Sequence, residues 1–386
     1  MKIYLDNAAT TPTNKEVIRA MNPYWNKNFG NPSSIHSLGV SAKVAIQKSK
    51  KVLADFLNAH DREIVFTSGG TESNNFAIFG LINALRKEGK KYSDMHFITT
   101  DIEHSSISEC FKELESRGAK VDYMKVDEFG IINSKDLRNL IRIETILISI
   151  CYANSEIGVI QPIRNIIKEI RHFKKENRCK TPYLHIDASQ AALYLNMNVE
   201  ELGVDLVTLD AQKMYGPKGI GALYIRDDVS MDPIIFGGGQ EGGKRSGTEN
   251  VPLVVGFAKT IELANKNREK ENKRLTIIRD YFFQEIVKII PEVLINGHRK
   301  ERLPNNINIS IPGYDGEMLV LRFDEKGIIC SSSSACASGN GESEVVKKIS
   351  NDIERAKSTL RFTMGKDTKF SDINKLLNTI KKICQN

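Results

Sequence analysis

The sequence predicts an α/β fold: a large unit on a mainly parallel sheet flanked by helices, with a smaller α+β unit beside it. Three observations lead there. Short apolar runs alternate with helix-patterned stretches through the first two-thirds of the chain, as in repeated βα units. Polar clusters follow those runs directly, where an open α/β sheet gathers its ligands. Past about residue 255 the alternation gives way to one long amphipathic stretch and then to shorter mixed elements.

Taken in order, 63–67 (EIVFT) reads as a buried strand and 71–89 as a helix capped by Thr71 or Ser68. Strand 96–100 (HFITT) is followed by a helix that Gly118 closes, and strand 120–124 (KVDYM) by a helix at 136–142. Strand 145–151 (TILISIC), helix 163–176, strand 183–187 (YLHID), and strands 206–209 and 222–226 continue the series. Residues 254–290 place apolar side chains three and four apart, which predicts one long helix bridging to a second unit. There 305–311 (NNINISI), 319–323 (LVLRF) and 327–332 (GIICSS) read as strands, with helices after Glu344 and Ser371.

Bulk composition excludes several classes. A length of 386 residues allows two domains, and 40% hydrophobic residues supply a sizeable core. The net charge of +7 comes from Lys and Arg interspersed with Asp and Glu, the pattern of solvated helix faces, so direct nucleic-acid binding is not expected. The six cysteines form no CxxC pair, which argues against zinc and for a reduced compartment. No apolar run approaches the ~20 residues of a membrane span, and the first residues lack a secretory apolar segment. A cytoplasmic enzyme is expected.

Four polar clusters carry candidate chemistry. In TSGGTESN, Gly69 and Gly70 let backbone amides approach an anion beside Thr71; a plain Gly-Gly turn with a helix cap explains the same residues. His104, in EHSS, is either structural or catalytic. Asp187, in HIDASQ with Gln190, could cap a helix, meet a cation, or share a metal with His185 on the same strand face. In TLDAQKMYGPKGIG, Lys213 or Lys218 could be a covalent catalyst. Together the clusters suggest one ligand with a phosphate, a cationic ring nitrogen and a carbonyl. Pyridoxal 5′-phosphate has all three, and Gly70/Thr71, Asp187 and Lys213 match them in kind, with Lys218 the alternative lysine. Cys336, in the small-residue run CSSSSACASGNGESE, adds a thiol and suggests sulfur transfer; a small buried residue is the plainer reading.

These stretches occur in order with YLDNAATTP, FGNPSSIHSLG, EIGVIQP, RSGTENV and LRFTMG. So arranged, the chain resembles the cysteine desulfurases, group I of class V among the fold-type-I pyridoxal-phosphate enzymes. The resemblance implies a large cofactor domain at 13–255 and a small domain from 1–12 with 256–386 that carries the cysteine loop. It implies desulfuration of L-cysteine to L-alanine, with an enzyme persulfide serving an acceptor such as an iron–sulfur scaffold or a tRNA-thiolating enzyme. Lys213 would hold the cofactor, and His104 would stack on its ring and assist proton transfer. Asp187 would pair with the ring nitrogen, and Gln190 would reach the ring hydroxyl. Gly70 and Thr71 would bind phosphate, and Thr248 would reach the phosphate of a second subunit in a homodimer. Arg361 would clamp the substrate carboxylate, and Cys336 would take the sulfur. A lyase for another amino acid such as selenocysteine, or a scaffold protein with weakened catalysis, are the alternatives.

Four positions depart from the family pattern. Ser155 stands where an asparagine contacts ring hydroxyl and substrate. Gln212 replaces a histidine beside the lysine, and Gly242 replaces an arginine. Asp210 replaces a phosphate-binding serine. A carboxylate ~4 Å from phosphate is repelled by roughly 1–4 kcal/mol, so Asp210 is expected to turn away or to meet a cation, leaving Gln212 and backbone amides to hold the phosphate.

Overall fold

The computed structural model describes residues 2–332 and 341–384. Among these, twelve strands run in chain order: β1 (Ile3–Tyr4), β2 (Ile64–Thr67), β3 (His96–Thr100), β4 (Lys120–Met124), β5 (Thr145–Cys151), β6 (Tyr183–Asp187), β7 (Leu206–Asp210), β8 (Gly221–Ile225), β9 (Leu294–Ile295), β10 (Asn306–Ser310), β11 (Ile328–Ile329) and β12 (Thr359–Thr363). Seven form the main sheet, in the order β2-β8-β7-β6-β5-β3-β4. β7, β6, β5, β3 and β4 are mutually parallel, and β8 is antiparallel to both neighbours. Two reversals restore the direction, so β2 runs the same way as β7.

The central strands β3, β5, β6 and β7 are buried at every position. Helices cover both faces of such a sheet, so its strands read as continuous apolar runs, not as alternation. Each fully buried Ile, Leu or Val contributes roughly 1.5–3 kcal/mol. The carboxylates that end β6 and β7, Asp187 and Asp210, therefore stand at the rim.

Outside the main sheet, β12-β10-β9 make a three-stranded antiparallel sheet, and β1 pairs in parallel with β11. The N-terminal segment thus joins the C-terminal part of the chain. The helix Val251–Ile289 spans 39 residues, with Asn250 accepting the Leu253 N–H at its start. It packs on the helix Ser37–Leu57 and on the last helix, Phe370–Cys384.

Several expectations are corrected. The run 319–323 is not a strand but part of the helix Gly316–Glu325. Asp315 caps it by accepting the Met318 N–H, and Leu319 and Phe323, one turn apart, face inward. Of 327–332 only Ile328 and Ile329 form a strand. The helix expected from 71 begins at Gly70 with Gly69 as its cap, neither Thr71 nor Ser68, and Phe76–Gly80 within it is a π turn. β12 was not expected; its apolar run is short, and it becomes a strand by pairing with β10.

Candidate active site

Strands β2, β3, β5, β6 and β7 end at one rim, and there a cavity of about 210 Å³ opens. The residues after those strand ends line it, joined by Ala8 and Ala9 from the N-terminal segment and by Arg361 from β12. Gly70, Thr71, His104, Ser155, Asp187, Gln190, Gln212 and Lys213 all reach this one cavity.

Lys213 sits in the short 3-10 turn Ala211–Met214 directly after β7. The turn ends at Tyr215, whose φ of 64° is left-handed and whose N–H is held by Thr11 Oγ1 at 2.7 Å. Lys213 Nζ donates to the carbonyls of Ala8 (2.8 Å) and Ala9 (2.6 Å). The N-terminal segment thereby aims the amine, and Gln190 Nε2 fixes the same Ala8 carbonyl at 3.0 Å. Lys218 instead reaches Thr11 O at 3.4 Å and is not part of the cavity lining.

Asp187 ends β6. Its Oδ1 accepts the Ser189 N–H (2.9 Å) and its Oδ2 accepts from Asn74 Nδ2 (2.8 Å). His185, two residues earlier, is enclosed between Ser149 Oγ (2.8 Å) and Thr208 Oγ1 (3.0 Å), and burial pushes its pKa down. Hydroxyls, not a metal, satisfy it. His104 caps the helix Ser105–Ser116, its Nδ1 accepting the Ser106 N–H at 3.1 Å.

The anion cradle follows β2. Gly69 has φ 152°. A Cβ on Gly70 would stand 3.0 Å from Ser189 Oγ and 3.3 Å from Asp210 Oδ2. Gly221 opposite admits no side chain, since its Cβ would lie 2.7 Å from the Gly69 carbonyl carbon. Asp210 does not turn away. It lines the cavity, accepting from Gln212 through Oδ1 (backbone N–H, 3.2 Å) and Oδ2 (Nε2, 3.2 Å). Burial pushes its carboxyl up, against the pull of the Lys213 charge and of the Gln212 and Gly70 N–H groups. Gln212 is thus occupied by Asp210, and its Oε1 accepts from Thr10 Oγ1 at 3.3 Å.

Arg361 is almost wholly buried. Its Nη2 pairs with Asp6 Oδ1 (2.9 Å), and its Nη1 donates to the Ser155 carbonyl (3.2 Å). Its Nε is buried without a partner among the described residues. Ser155 therefore meets Arg361 through its backbone.

Thr248 is exposed and is not among the cavity-lining residues, and Gly242 is exposed at φ 66°. Cys336 lies outside the described residues. Of the other cysteines, burial pushes the thiols of Cys110 and Cys330 up to about 12 and that of Cys384 to about 11. Burial also pushes the thiol of Cys151, enclosed beside Glu103 and Asp187, well up. These four are poor sources of thiolate.

Sequence reasoning missed Asn74, the carbonyls of Ala8 and Ala9, Asp6 and Glu103 as site groups. Asn74 and Asp6 stand inside stretches already singled out, but no local pattern says which way an amide or carbonyl points. Glu103 accepts from Thr100 Oγ1 (2.6 Å) and the Cys151 N–H (3.0 Å), and burial pushes its carboxyl up to about 7.

The residues present fit pyridoxal 5′-phosphate in kind: an amine on Lys213, a fixed carboxylate on Asp187 and a backbone cradle at Gly69–Gly70 that side chains would fill. Asp210 is the exception.

Comparison with known proteins adds the following. The aminotransferase class-V family model matches residues 3–376. A protein of Dictyoglomus turgidum named cysteine desulfurase IscS is 45% identical over 385 residues, covering 100% of this chain and 95% of its own length. One of the same name from Methanosarcina thermophila is 44% identical, covering 99% and 92%. Among solved structures, a NifS-like protein superposes with a TM-score of 0.91 at 32% identity over the whole of both chains. A structure described as SspA in complex with cysteine gives 0.78 at 34%, covering 94% of this chain and 99% of that one.

Proposed function

Because the chain belongs to the class-V aminotransferase family, we propose that its cavity carries out cysteine desulfuration. L-cysteine and a protein thiol give L-alanine and a persulfide. The C–S bond of the substrate breaks, its carbon keeps the electron pair and takes up a proton, and an S–S bond forms on the enzyme. The observation that carries this reading is one cavity holding both the Lys213 amine and an Arg361 whose buried Nε has no partner among the described residues. That combination suits an α-amino acid: the guanidinium takes the carboxylate while the amine stands ready for the Cα proton.

Bound pyridoxal 5′-phosphate would supply the electron sink for charge developing on the substrate. The chain's own groups do the rest. Lys213 would hold the cofactor, and its amine would move the Cα proton. Asp187, braced by Asn74 and Ser189, offers a negative charge to the ring nitrogen, while Gly70 and Thr71 offer the phosphate their amides. Ser155 and Gln190, which line the cavity, would meet the ring and the substrate. Cys336 is the sulfur-accepting thiol, a role supported by its sequence context. The persulfide then passes to an acceptor protein, an iron–sulfur scaffold or a tRNA-thiolating enzyme, in the cytoplasm. Among the described residues no helix is long and apolar enough to cross a membrane.

The working form proposed is a homodimer. Thr248 is exposed and does not line its own cavity, so it is available to a second copy. Trp25, Phe29, Ile35 and Phe236 are exposed apolar side chains of the kind that association covers.

Intact-mass measurement on cofactor-loaded protein, sized beforehand in solution, tests the reading. Incubation with L-cysteine adds one sulfur atom to the wild type and none to Cys336→Ala, which keeps its bound cofactor. A Cys336→Ala protein that still gains the sulfur refutes the assignment, and a monomer that turns over normally refutes the role of Thr248.

A further inference from the structure

Four side chains form one hydrogen-bonded chain from Asp187 to His104, and its direction is set from the aspartate end. As a carboxylate, Asp187 can only accept, and its Oδ2 takes a hydrogen from Asn74 Nδ2 at 2.8 Å. The amide of Asn74 is therefore turned with its NH2 toward Asp187. The second hydrogen of that group goes to Ser106 Oγ, also 2.8 Å away. The Ser106 hydroxyl, already an acceptor, has its own hydrogen left for His104 Nδ1 at 2.9 Å. Independently, the backbone N–H of Ser106 points at the same Nδ1 from 3.1 Å. Two donors aimed at one nitrogen leave no place for a proton on it.

We propose that Asn74 and Ser106 are positioning residues that hold the neutral imidazole of His104 in the tautomer with its proton on Nε2. The nitrogen across the ring from the cap, on a side chain that lines the cavity, is then a hydrogen-bond donor. An N–H nitrogen has no lone pair to accept a proton, so His104 orients an acceptor at the site, and proton uptake falls to the Lys213 amine. Asn74 Oδ1 is left buried with no partner among the described residues; turning the amide over would set that oxygen against the Asp187 carboxylate, which only accepts. The consequence for catalysis rests on the desulfurase reading; the tautomer rests on the geometry alone.

Nitrogen NMR on cofactor-free protein labelled with 15N-histidine tests it, with the His104 signals assigned by their loss in His104→Gln. At about pH 8, above the ordinary imidazole range, His104 shows an unprotonated Nδ1 and a protonated Nε2. Ser106→Ala removes one of the two donors and shifts the tautomer ratio toward Nδ1–H by roughly two- to tenfold, the worth of one neutral hydrogen bond. Ser106→Thr, which keeps the hydroxyl, retains the wild-type signals. A wild-type His104 with its proton on Nδ1 overturns the proposal, as does a Ser106→Ala protein with the wild-type ratio. Either result leaves the desulfurase reading standing. Conversely, failure of the wild type to form persulfide sinks that reading without touching the tautomer.

Discussion

The two rims of the seven-stranded sheet both bury polar groups, and they treat them differently. At the rim where the parallel strands begin, Asp205 accepts the Leu184 N–H at 2.6 Å and forms an ion pair with Arg226. His96 is held between Thr145 Oγ1 (2.8 Å) and Asp122 Oδ2 (3.0 Å), and Asp122 also meets Arg142. At the rim where the strands end, Asn74 Oδ1, Glu103 Oε2 and Arg361 Nε are buried with no partner among the described residues. An unpaired buried polar atom costs roughly 1–3 kcal/mol. A rim that tolerates several is arranged for something other than stability, and this is the rim that holds the cavity.

Three substitutions test that contrast, from the largest expected effect to the smallest. Asp210→Ser removes the anion beside the cradle. It is expected to tighten pyridoxal 5′-phosphate binding by up to roughly 4 kcal/mol, the upper end of the repulsion at ~4 Å. Titration of cofactor-free protein with the cofactor checks it, and unchanged affinity would mean that Asp210 is no obstacle.

Glu103 is next. Burial raises its carboxyl from 4.5 to about 7, so between those values the folded chain binds more protons than the unfolded one. Stability therefore falls as pH rises through that window, by up to about 3 kcal/mol, and stays low above it. Glu103→Gln removes this loss. It should be the more stable protein above pH 7 and show a flatter pH dependence in urea unfolding. A variant that tracks the wild type at every pH would place the carboxyl in contact with water.

The smallest effect belongs to the opposite rim. Asp205→Ala strands the Leu184 N–H, while Arg226 keeps Asp228 as a partner at Nε and Nη2. The expected loss is about 2 kcal/mol of stability with turnover unchanged. A variant that keeps its stability but loses turnover would erase the distinction between the rims.

Much of the site was legible because β strands of a parallel sheet announce themselves as apolar runs and strand ends carry the chemistry. Asp187, His104, Gly70 and Lys213 stand just after predicted strands, as that rule requires, and the structure brings all four to one cavity; their separate roles come from the family resemblance. Arg361 came only through the family pattern, since β12 is visible as a strand only beside β10. The error at 319–323 has a similar origin: five residues fit both a strand and a helix, and the Asp315 cap decides between them. Of the two outcomes expected of Asp210, turning away or meeting a cation, it takes neither the first nor, among the described residues, a direct ion pair: it stays at the cavity within the pull of the Lys213 charge. Its bonds to Gln212 and its closeness to Gly70 depend on how the turn after β7 folds back on β2.

By itself the sequence determined the chain order of the seven main-sheet strands, the polar residues that follow them and the family to which those residues belong. Each of these is local or a matter of residue identity. The tertiary structure alone decided the directions of the hydrogen bonds. Ala8 and Ala9 lie more than two hundred positions from the lysine they aim, and Asn74 lies 113 positions from Asp187. No periodicity spans such separations. Which carbonyl meets an amine, and which nitrogen of His104 carries its proton, follows from strand register and close packing.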